Sequence, residues 1–184
     1  FLTEKMCAAA SSQNLMSYPA GELRPAIVDM CFTHFHDILP GSSIQPAERD
    51  ALRRIDRGLD ICSQLKTRAF FALASGQEKA GENVVPVLVY NPHPFKIDTI
   101  VECEFNLPDQ NREGTWSLID ARKNGRKLPS QGEKEESNIL FDWRKRAVFR
   151  ATLDPGQMNR FDCHLSRVPK KPKPRLKPKN GRIR

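Results

Sequence analysis

The sequence has 184 residues, 39% of them hydrophobic, and a formal net charge of +8. This length allows one large domain or two small ones, and no apolar run reaches the roughly 20 residues that a membrane-spanning helix needs. Nine of the 30 basic residues lie between Arg167 and Arg184, where there is no acidic residue, and the other 21 are matched by 22 acidic residues. The basic character therefore belongs to the tail, and the body of the chain is not predicted to bind nucleic acid.

The first half of the chain predicts three helices. A short helix is predicted over residues 1–16, and Glu22 to Asp37 carries apolar residues on nearly every face, which is typical of a buried helix. Pro25 fits only in the first turn of that helix. A long helix is predicted from Gln45 to about Ser75, and one face of it carries an apolar stripe that only Lys66 interrupts. The stripe predicts the core of a helical bundle, and its members are Leu52, Ile55, Leu59, Cys62, Ala69 and Leu73.

From Val84 onward the pattern changes to that of strands. The apolar run from Val85 to Tyr90 is typical of a central strand, and alternation in 99–107, 147–153 and 161–165 predicts half-buried strands. Asn124-Gly125 predicts a tight hairpin turn, whereas 132–138 is predicted to be a charged loop. Several short strands at this spacing favour an antiparallel β-sandwich.

The predicted fold class is therefore α+β, with a three-helix-bundle-like N-terminal part followed by an antiparallel β-sandwich. The predicted domains are a helical domain at 1–78 and a β-sandwich domain at 84–168. Residues 169–184 are predicted to be a basic, Pro-rich extended tail or the truncated start of a further domain.

The five cysteines are an odd number and favour a reducing compartment. Cys103 and Cys163 fall on the apolar side of strand patterns, and Cys31 and Cys62 fall in predicted helices, as reduced and buried cysteines do. We therefore expect a cytoplasmic protein. The first residues lack the features of a signal peptide and do not begin with Met, so an excised piece of a longer protein is expected.

Three polar residues, His34, His36 and Asp37, fall at the end of the predicted buried helix, just before Pro40-Gly41. Buried polar groups need partners, and two interpretations are open: hydrogen-bonded helix-end histidines, or a metal ligand. A closed zinc site takes about four ligands, and the other two histidines lie far away in the sequence. Taken alone, the pattern favours the hydrogen-bonded histidines.

The ten residues from Phe35 to Ile44, FHDILPGSSI, resemble the signature of glycoside hydrolase family 38, the retaining α-mannosidases. The cytosolic and bacterial branch carries this form most closely. Ser17–Pro19, Val87–Pro92 and Gly125–Gln131 are also similar to segments of that family. Thr33-His34 departs from the Asn-Gln usual in the branch, so His34 inherits no role.

The resemblance implies roles for two residues of this chain. His36 matches the histidine that completes the family's zinc site, whose other ligands, one His and two Asp, come from a catalytic domain. Asp37 matches the residue that hydrogen-bonds a hydroxyl of bound mannose. Retaining glycosidases use two carboxylates about 5–5.5 Å apart; the family's pair belongs to the catalytic domain, and no catalytic residue is predicted in this chain.

These implications predict an internal fragment of a zinc-dependent α-mannosidase, comprising its middle helical domain and first β-sandwich domain. The whole enzyme would hydrolyse α-linked mannose from glycans, and the fragment alone is expected to be inactive. Its expected partners are an α-mannoside glycan and the catalytic and C-terminal domains of the same polypeptide; neither a membrane nor nucleic acid is expected. The alternative is a non-catalytic carbohydrate-binding module or a basic-tailed interaction module.

Overall fold

The computed structural model describes residues 1–111, 116–133 and 142–170. This part of the chain is α+β, with three helices followed by seven strands in two antiparallel sheets. The helices are α1 (Leu2–Ser12), α2 (Ala20–Thr33) and α3 (Gln45–Ala74). The strands are β1 (Val84–Tyr90), β2 (Ile97–Asn111), β3 (Trp116–Lys123), β4 (Arg126–Lys127), β5 (Ser130–Glu133), β6 (Asp142–Leu153) and β7 (Met158–Val168).

The chain divides into two compact units, one holding the helices and the other the sheets. The first comprises Phe1–Gln77 with the short segments Pro92–Pro94 and Gly156–Met158. Among the described residues, no helix has the length and apolar character needed to cross a bilayer. Most of the predicted basic tail, residues 171–184, lies outside the described residues.

Helix α2 differs from its prediction in both extent and burial. It begins at Ala20, so Pro25 lies inside the helix rather than in its first turn, where its missing N–H removes one helical hydrogen bond. Only one face of α2 is buried, and Val28 and Met30 on other faces are 54% and 51% exposed. The predicted fully buried helix is therefore wrong, because the described chain packs against one face of α2.

Helix α3 matches its predicted extent, with Pro46 as its second residue. Its apolar stripe, however, is buried only in the C-terminal half of the helix, at Ala69 and Leu73. In the N-terminal half, the stripe residues are exposed: Leu52, Ile55 and Leu59. The prediction that the whole stripe forms a bundle core is thus wrong for the N-terminal half.

The strands form a four-stranded sheet in the order β1-β7-β3-β4 and a three-stranded sheet in the order β2-β6-β5. Two predictions need correction here. Strand β1 is at the edge of its sheet among the described strands, and its exposed Pro86 has no N–H to donate to a second neighbour. Residues 132 and 133, predicted to lie in a charged loop, belong to β5 and pair with β6, while the rest of that predicted loop is outside the described residues.

The alternating residues of both sheets contribute to one buried cluster. Val101 lies opposite Phe149 in the antiparallel pair of β2 and β6, and the Phe149 ring packs against that of Phe161 from β7 at 5.1 Å between centroids. The predicted turn at Asn124-Gly125 joins β3 to β4, with φ values of 49° and 77° at its two residues. Burial of the alternating apolar side chains and this left-handed turn hold the strand unit together.

Candidate functional site

The candidate site is the turn between α2 and α3, which contains the FHDILPGSSI sequence. Helix α2 ends at Thr33, and the chain then turns through local hydrogen bonds, with the N–H groups of Ile38 and Leu39 both donating to the Phe35 carbonyl at 2.9 and 3.0 Å. Gly41 has φ +77°, a left-handed conformation that disfavours residues with a Cβ. The sequence of this turn therefore fixes its backbone through its own hydrogen bonds and one glycine.

His36 and Asp37 lie in this turn rather than in the last turn of a buried helix. Their side chains are 77% and 52% exposed, and His36 Nε2 is 3.4 Å from Asp37 Oδ2. The His36 ring also packs against the Phe35 ring, with 4.2 Å between centroids. The two side chains are thus adjacent and accessible to a ligand. The sequence had left open a pair of buried, hydrogen-bonded histidines at the end of a helix, and this interpretation does not fit the exposed His36.

Ser42 contacts Asp37 from the other side of the turn. Its hydroxyl donates to Asp37 Oδ1 at 3.4 Å and lies 3.5 Å from the Asp37 carbonyl oxygen. The sequence analysis gave Ser42 no role, although it lies within the signature. A side-chain hydroxyl at this position restrains the carboxylate and leaves Asp37 able to accept a further hydrogen bond.

A cleft of about 680 Å³ lies beside the turn. Asp37 and His34 contribute to its lining, but His36 does not. Most of the remaining lining is apolar and comes from the end of α2, the turn and the start of α3: Cys31, Phe32, Phe35, Ile38, Ile44 and Ala47. No sequence signal identified this cleft, and three of its apolar residues, Cys31, Phe32 and Phe35, belong to the helix that was predicted to be buried.

The residues present fit one part of a metal site and not a complete one. A neutral imidazole is a good zinc ligand, and a carboxylate next to it can orient the ring. Within the described ranges, no group of three or more His, Cys, Asp or Glu side chains is close enough together to hold a metal ion. His93 and His164 lie in the loop after β1 and in β7. Within the described part of the chain, His36 and Asp37 therefore do not form a complete metal site.

Several carboxylates of the sheet unit are engaged in ion pairs. The hydrogen bond from Arg150 holds the pKa of Asp98 below its ordinary value, and the hydrogen bond from Lys123 does the same for the pKa of Asp154. A general acid needs the opposite, a raised pKa that keeps its proton near neutral pH. These two residues are therefore unsuited to that role.

Comparison with known proteins gives a structural match without a sequence match. No family model matches the chain, and no curated protein sequence matches it significantly. Its structure is similar to an α-mannosidase from Enterococcus faecalis V583, with a TM-score of 0.60 and 14% sequence identity over 89% of this chain. The match covers 22% of that protein, so this chain spans about a fifth of its length. At this identity the similarity is one of fold.

Proposed function

We propose that this chain is part of a retaining, zinc-dependent α-mannosidase that hydrolyses α-linked mannose from glycans. The observation that carries the proposal is the sequence FHDILPGSSI from Phe35 to Ile44, which forms an exposed turn and presents His36 and Asp37 side by side. The similarity in fold to part of a known α-mannosidase supports the proposal. The nucleophile and the acid/base would belong to a separate catalytic domain, with none in this chain.

The proposed organisation is a helical middle domain at 1–78 and a β-sandwich domain at 84–168. Packing of α1 and α2 on α3 supports the helical domain, and the buried cluster that draws on both sheets supports the sandwich. We further propose that the enzyme is cytoplasmic, since all five cysteines are free thiols in the structure.

His36 and Asp37 would have separate tasks in such an enzyme. The His36 imidazole would hold zinc together with ligands from the catalytic domain, and Asp37 would accept a hydrogen bond from a mannose hydroxyl. Bound zinc would supply a Lewis acid able to hold the two cis hydroxyls of mannose. Ser42 would position the Asp37 carboxylate, and the turn backbone would keep both side chains directed toward the sugar. The partners implied are an α-mannoside glycan and the other domains of the same polypeptide.

The test uses the protein made from the whole reading frame that contains this sequence. The purified protein should release the aryl group from an aryl α-mannoside and contain stoichiometric zinc. His36→Ala should lose both zinc and most of kcat/KM, because it removes a metal ligand. His34→Gln is the matched control, since His34 is also an exposed histidine of this segment and the change leads to the residue usual in the branch.

Two results would contradict the proposal. The first is a wild-type protein that hydrolyses no α-mannoside at all. The second is a His36→Ala variant that retains both its zinc and its activity, which would mean that the signature only ends α2 and turns the chain.

A further inference from the structure

Two of the five cysteines belong to the buried cluster to which both sheets contribute. Cys103 lies on β2 of the three-stranded sheet, and Cys163 lies on β7 of the four-stranded sheet. Cys163 is fully buried, whereas Cys103 packs against the cluster with part of its side chain exposed. Each sheet therefore contributes one thiol to the same core.

Strands β6 and β7 run in opposite directions although they belong to different sheets. Phe149 of β6 packs against Phe161 of β7, with 5.1 Å between the ring centroids. Further along β6, the Asp154 N–H donates to Asn159 Oδ1 at 2.7 Å, and the Asn159 side-chain amide donates to the Asp154 carbonyl at 3.1 Å. Residue numbers therefore fall along one strand as they rise along the other. Because inward-facing side chains repeat every second residue, the next layer away from the turn lies two residues beyond each phenylalanine.

That layer contains Ala147 and Cys163, and Cys103 lies beside Ala147. Cys103 and Ala147 are partners in the antiparallel pair of β2 and β6, and the Cys103 sulfur lies 3.8 Å from the Ala147 carbonyl oxygen. The Cys163 thiol donates a hydrogen bond to the Cys103 sulfur. Ala147 and Ala121, the partner of Cys163 in β3, are both fully buried. Because alanine side chains fill little space, the two sulfurs can meet across the core.

The two thiols differ in access and in reactivity. Among the described strands β2 is at the edge of its sheet, and the partial exposure of Cys103 gives a small oxidant access to its sulfur. The hydrogen bond from Cys163 lowers the pKa of Cys103 and raises the pKa of Cys163. The thiolate is the reactive form of cysteine, so Cys103 is suited to react first. An accessible thiol of lowered pKa next to a second cysteine is typical of redox-sensitive pairs.

We propose that Cys103 and Cys163 form a reversible oxidation site, at which a peroxide converts the two thiols into a disulfide that links β2 to β7. The juxtaposition that carries this proposal is one sulfur from each sheet in the same layer of the core, with only alanines as their strand partners. Both thiols are free in the structure, which therefore represents the reduced form. This inference does not depend on the mannosidase proposal.

The oxidation has two steps. The Cys103 thiolate attacks one oxygen of hydrogen peroxide, the O–O bond breaks, and hydroxide leaves and takes up the proton that the thiol lost, which gives a sulfenic acid and water. The Cys163 sulfur then attacks the Cys103 sulfur, the S–O bond breaks, and hydroxide leaves with the Cys163 proton as a second water. Two thiols are oxidised to one disulfide, and one peroxide is reduced to two waters. A small thiol such as dithiothreitol would reverse the reaction by exchange.

The test uses the full chain, reduced and then treated with hydrogen peroxide while folded. After alkylation of the remaining thiols, peptide mapping by mass spectrometry should find Cys103 joined to Cys163 as the main linkage, and dithiothreitol should remove it. In concentrated urea the same treatment should give mixed linkages, because the fold no longer selects a pair. The oxidised chain should also unfold at a higher urea concentration, since the disulfide restricts the unfolded state.

Three variants separate the roles of the cysteines. Cys163→Ala should accumulate a sulfenic acid at Cys103, which dimedone would trap, because the second thiol is missing. Cys103→Ala should leave Cys163 reduced, because that thiol is fully buried. The matched control is Cys31→Ala, which removes an exposed cysteine outside the strand unit and should keep the linkage. Circular dichroism would verify that each variant is folded.

Two results would overturn the proposal. In the first, Cys103 and Cys163 both stay reduced in the folded wild type under a peroxide treatment that oxidises the exposed Cys31. In the second, the folded wild type joins either of them mainly to a different cysteine. Both results come from mapping the wild-type chain, so the proposal is tested even when an alanine variant fails to fold.

Discussion

The Asp29 carboxylate on α2 accepts a hydrogen bond from the Arg54 guanidinium on α3, with 3.3 Å between Oδ1 and Nη1. Asp29 is buried, and Arg57 lies 3.5 Å from its other oxygen. Arg54 also lies over the Phe32 ring, 4.1 Å from its centroid. Arg54 thus contacts α2 through both a buried charge and an aromatic ring, which makes it the side chain that most clearly joins these two helices.

We therefore expect Arg54→Met to lower the free energy of unfolding by about 1–2 kcal/mol. Methionine keeps much of the apolar contact with Phe32 but removes the charge-assisted hydrogen bond to a buried carboxylate. Urea unfolding followed by helical circular dichroism would measure the change. Arg53→Met, at the exposed neighbouring position, should have little effect, and equal losses in the two variants would disprove the role of the Asp29 contact.

Gly58 lies in the middle of α3 and faces α2. Alanine should stabilise the protein here by about 0.5–1 kcal/mol, because glycine is a poor helix residue and the added Cβ would be 3.6 Å from the Ala26 carbonyl oxygen, an ordinary contact. Gly58→Leu should destabilise it by about 1–3 kcal/mol, because a larger side chain would push α2 away. Thermal unfolding of the two variants would test this, and stabilisation by leucine would show that α2 does not pack here.

Burial of a thiol makes stability depend on alkaline pH. Burial raises the pKa of Cys7, whereas the hydrogen bond between Cys103 and Cys163 lowers the pKa of Cys103 and raises the pKa of Cys163, so that the shifts of this pair oppose each other. At Cys7 the folded state therefore keeps a proton that the unfolded chain loses above the ordinary thiol pKa of about 8.5. This contribution to stability is complete below that pH and is lost as the pH rises further.

The urea concentration at the midpoint of unfolding should thus decrease as the pH is raised from about 7.5 to about 9.5. The fall should be smaller in the Cys7→Ala variant, although the lost packing lowers the midpoint at both pH values. Cys31→Ala is the control, because Cys31 is exposed. A Cys7→Ala variant with an unchanged pH dependence would show that this thiol does not cause the effect.

Sequence patterns predicted the elements whose partners lie within the chain. Alternation predicted that Val101, Phe149 and Phe161 face inward, because a strand buried on one face has a period of two. Asn124-Gly125 predicted its turn because few other residue pairs adopt two positive φ values in succession. The extent of α3 followed from Pro46 and from its helical period.

Burial of α2 and of the N-terminal half of α3 could not be predicted in the same way. Burial of an apolar residue such as Val28 or Leu59 would stabilise the folded protein, but the amino-acid sequence does not identify which part of the protein covers that residue. In the candidate site, His36 and Asp37 are neighbours in any fold. The contact of Ser42 with Asp37 and the adjacent cleft depend on the course of the turn, which the residue pattern alone did not define.

The chain by itself should bind zinc weakly. His36 has one carboxylate next to it, and within the described residues no larger cluster of ligands is present, whereas a closed zinc site takes about four ligands. Competition with a zinc-binding dye should detect no tight stoichiometric site that depends on His36, with Cys31→Ser included to remove the exposed thiol. Tight binding that His36→Ala abolishes would instead indicate a complete local site.

Asp37→Asn in the whole enzyme separates sugar binding from metal binding. The amide keeps the shape of the carboxylate but weakens a charge-assisted hydrogen bond to a sugar hydroxyl, a bond that contributes about 1.5–3 kcal/mol. We expect kcat/KM to fall by about 10–150-fold, since about 1.4 kcal/mol corresponds to a factor of ten, and zinc content to stay nearly unchanged. Ser42→Ala should cause a smaller loss, because Ser42 contacts the carboxylate at 3.4 Å and only restrains it. Metal analysis and kinetics on both variants would test these expected changes in zinc content and kcat/KM. An Asp37→Asn enzyme that loses its zinc would mean that Asp37 supports the metal ligand His36 rather than binding the sugar.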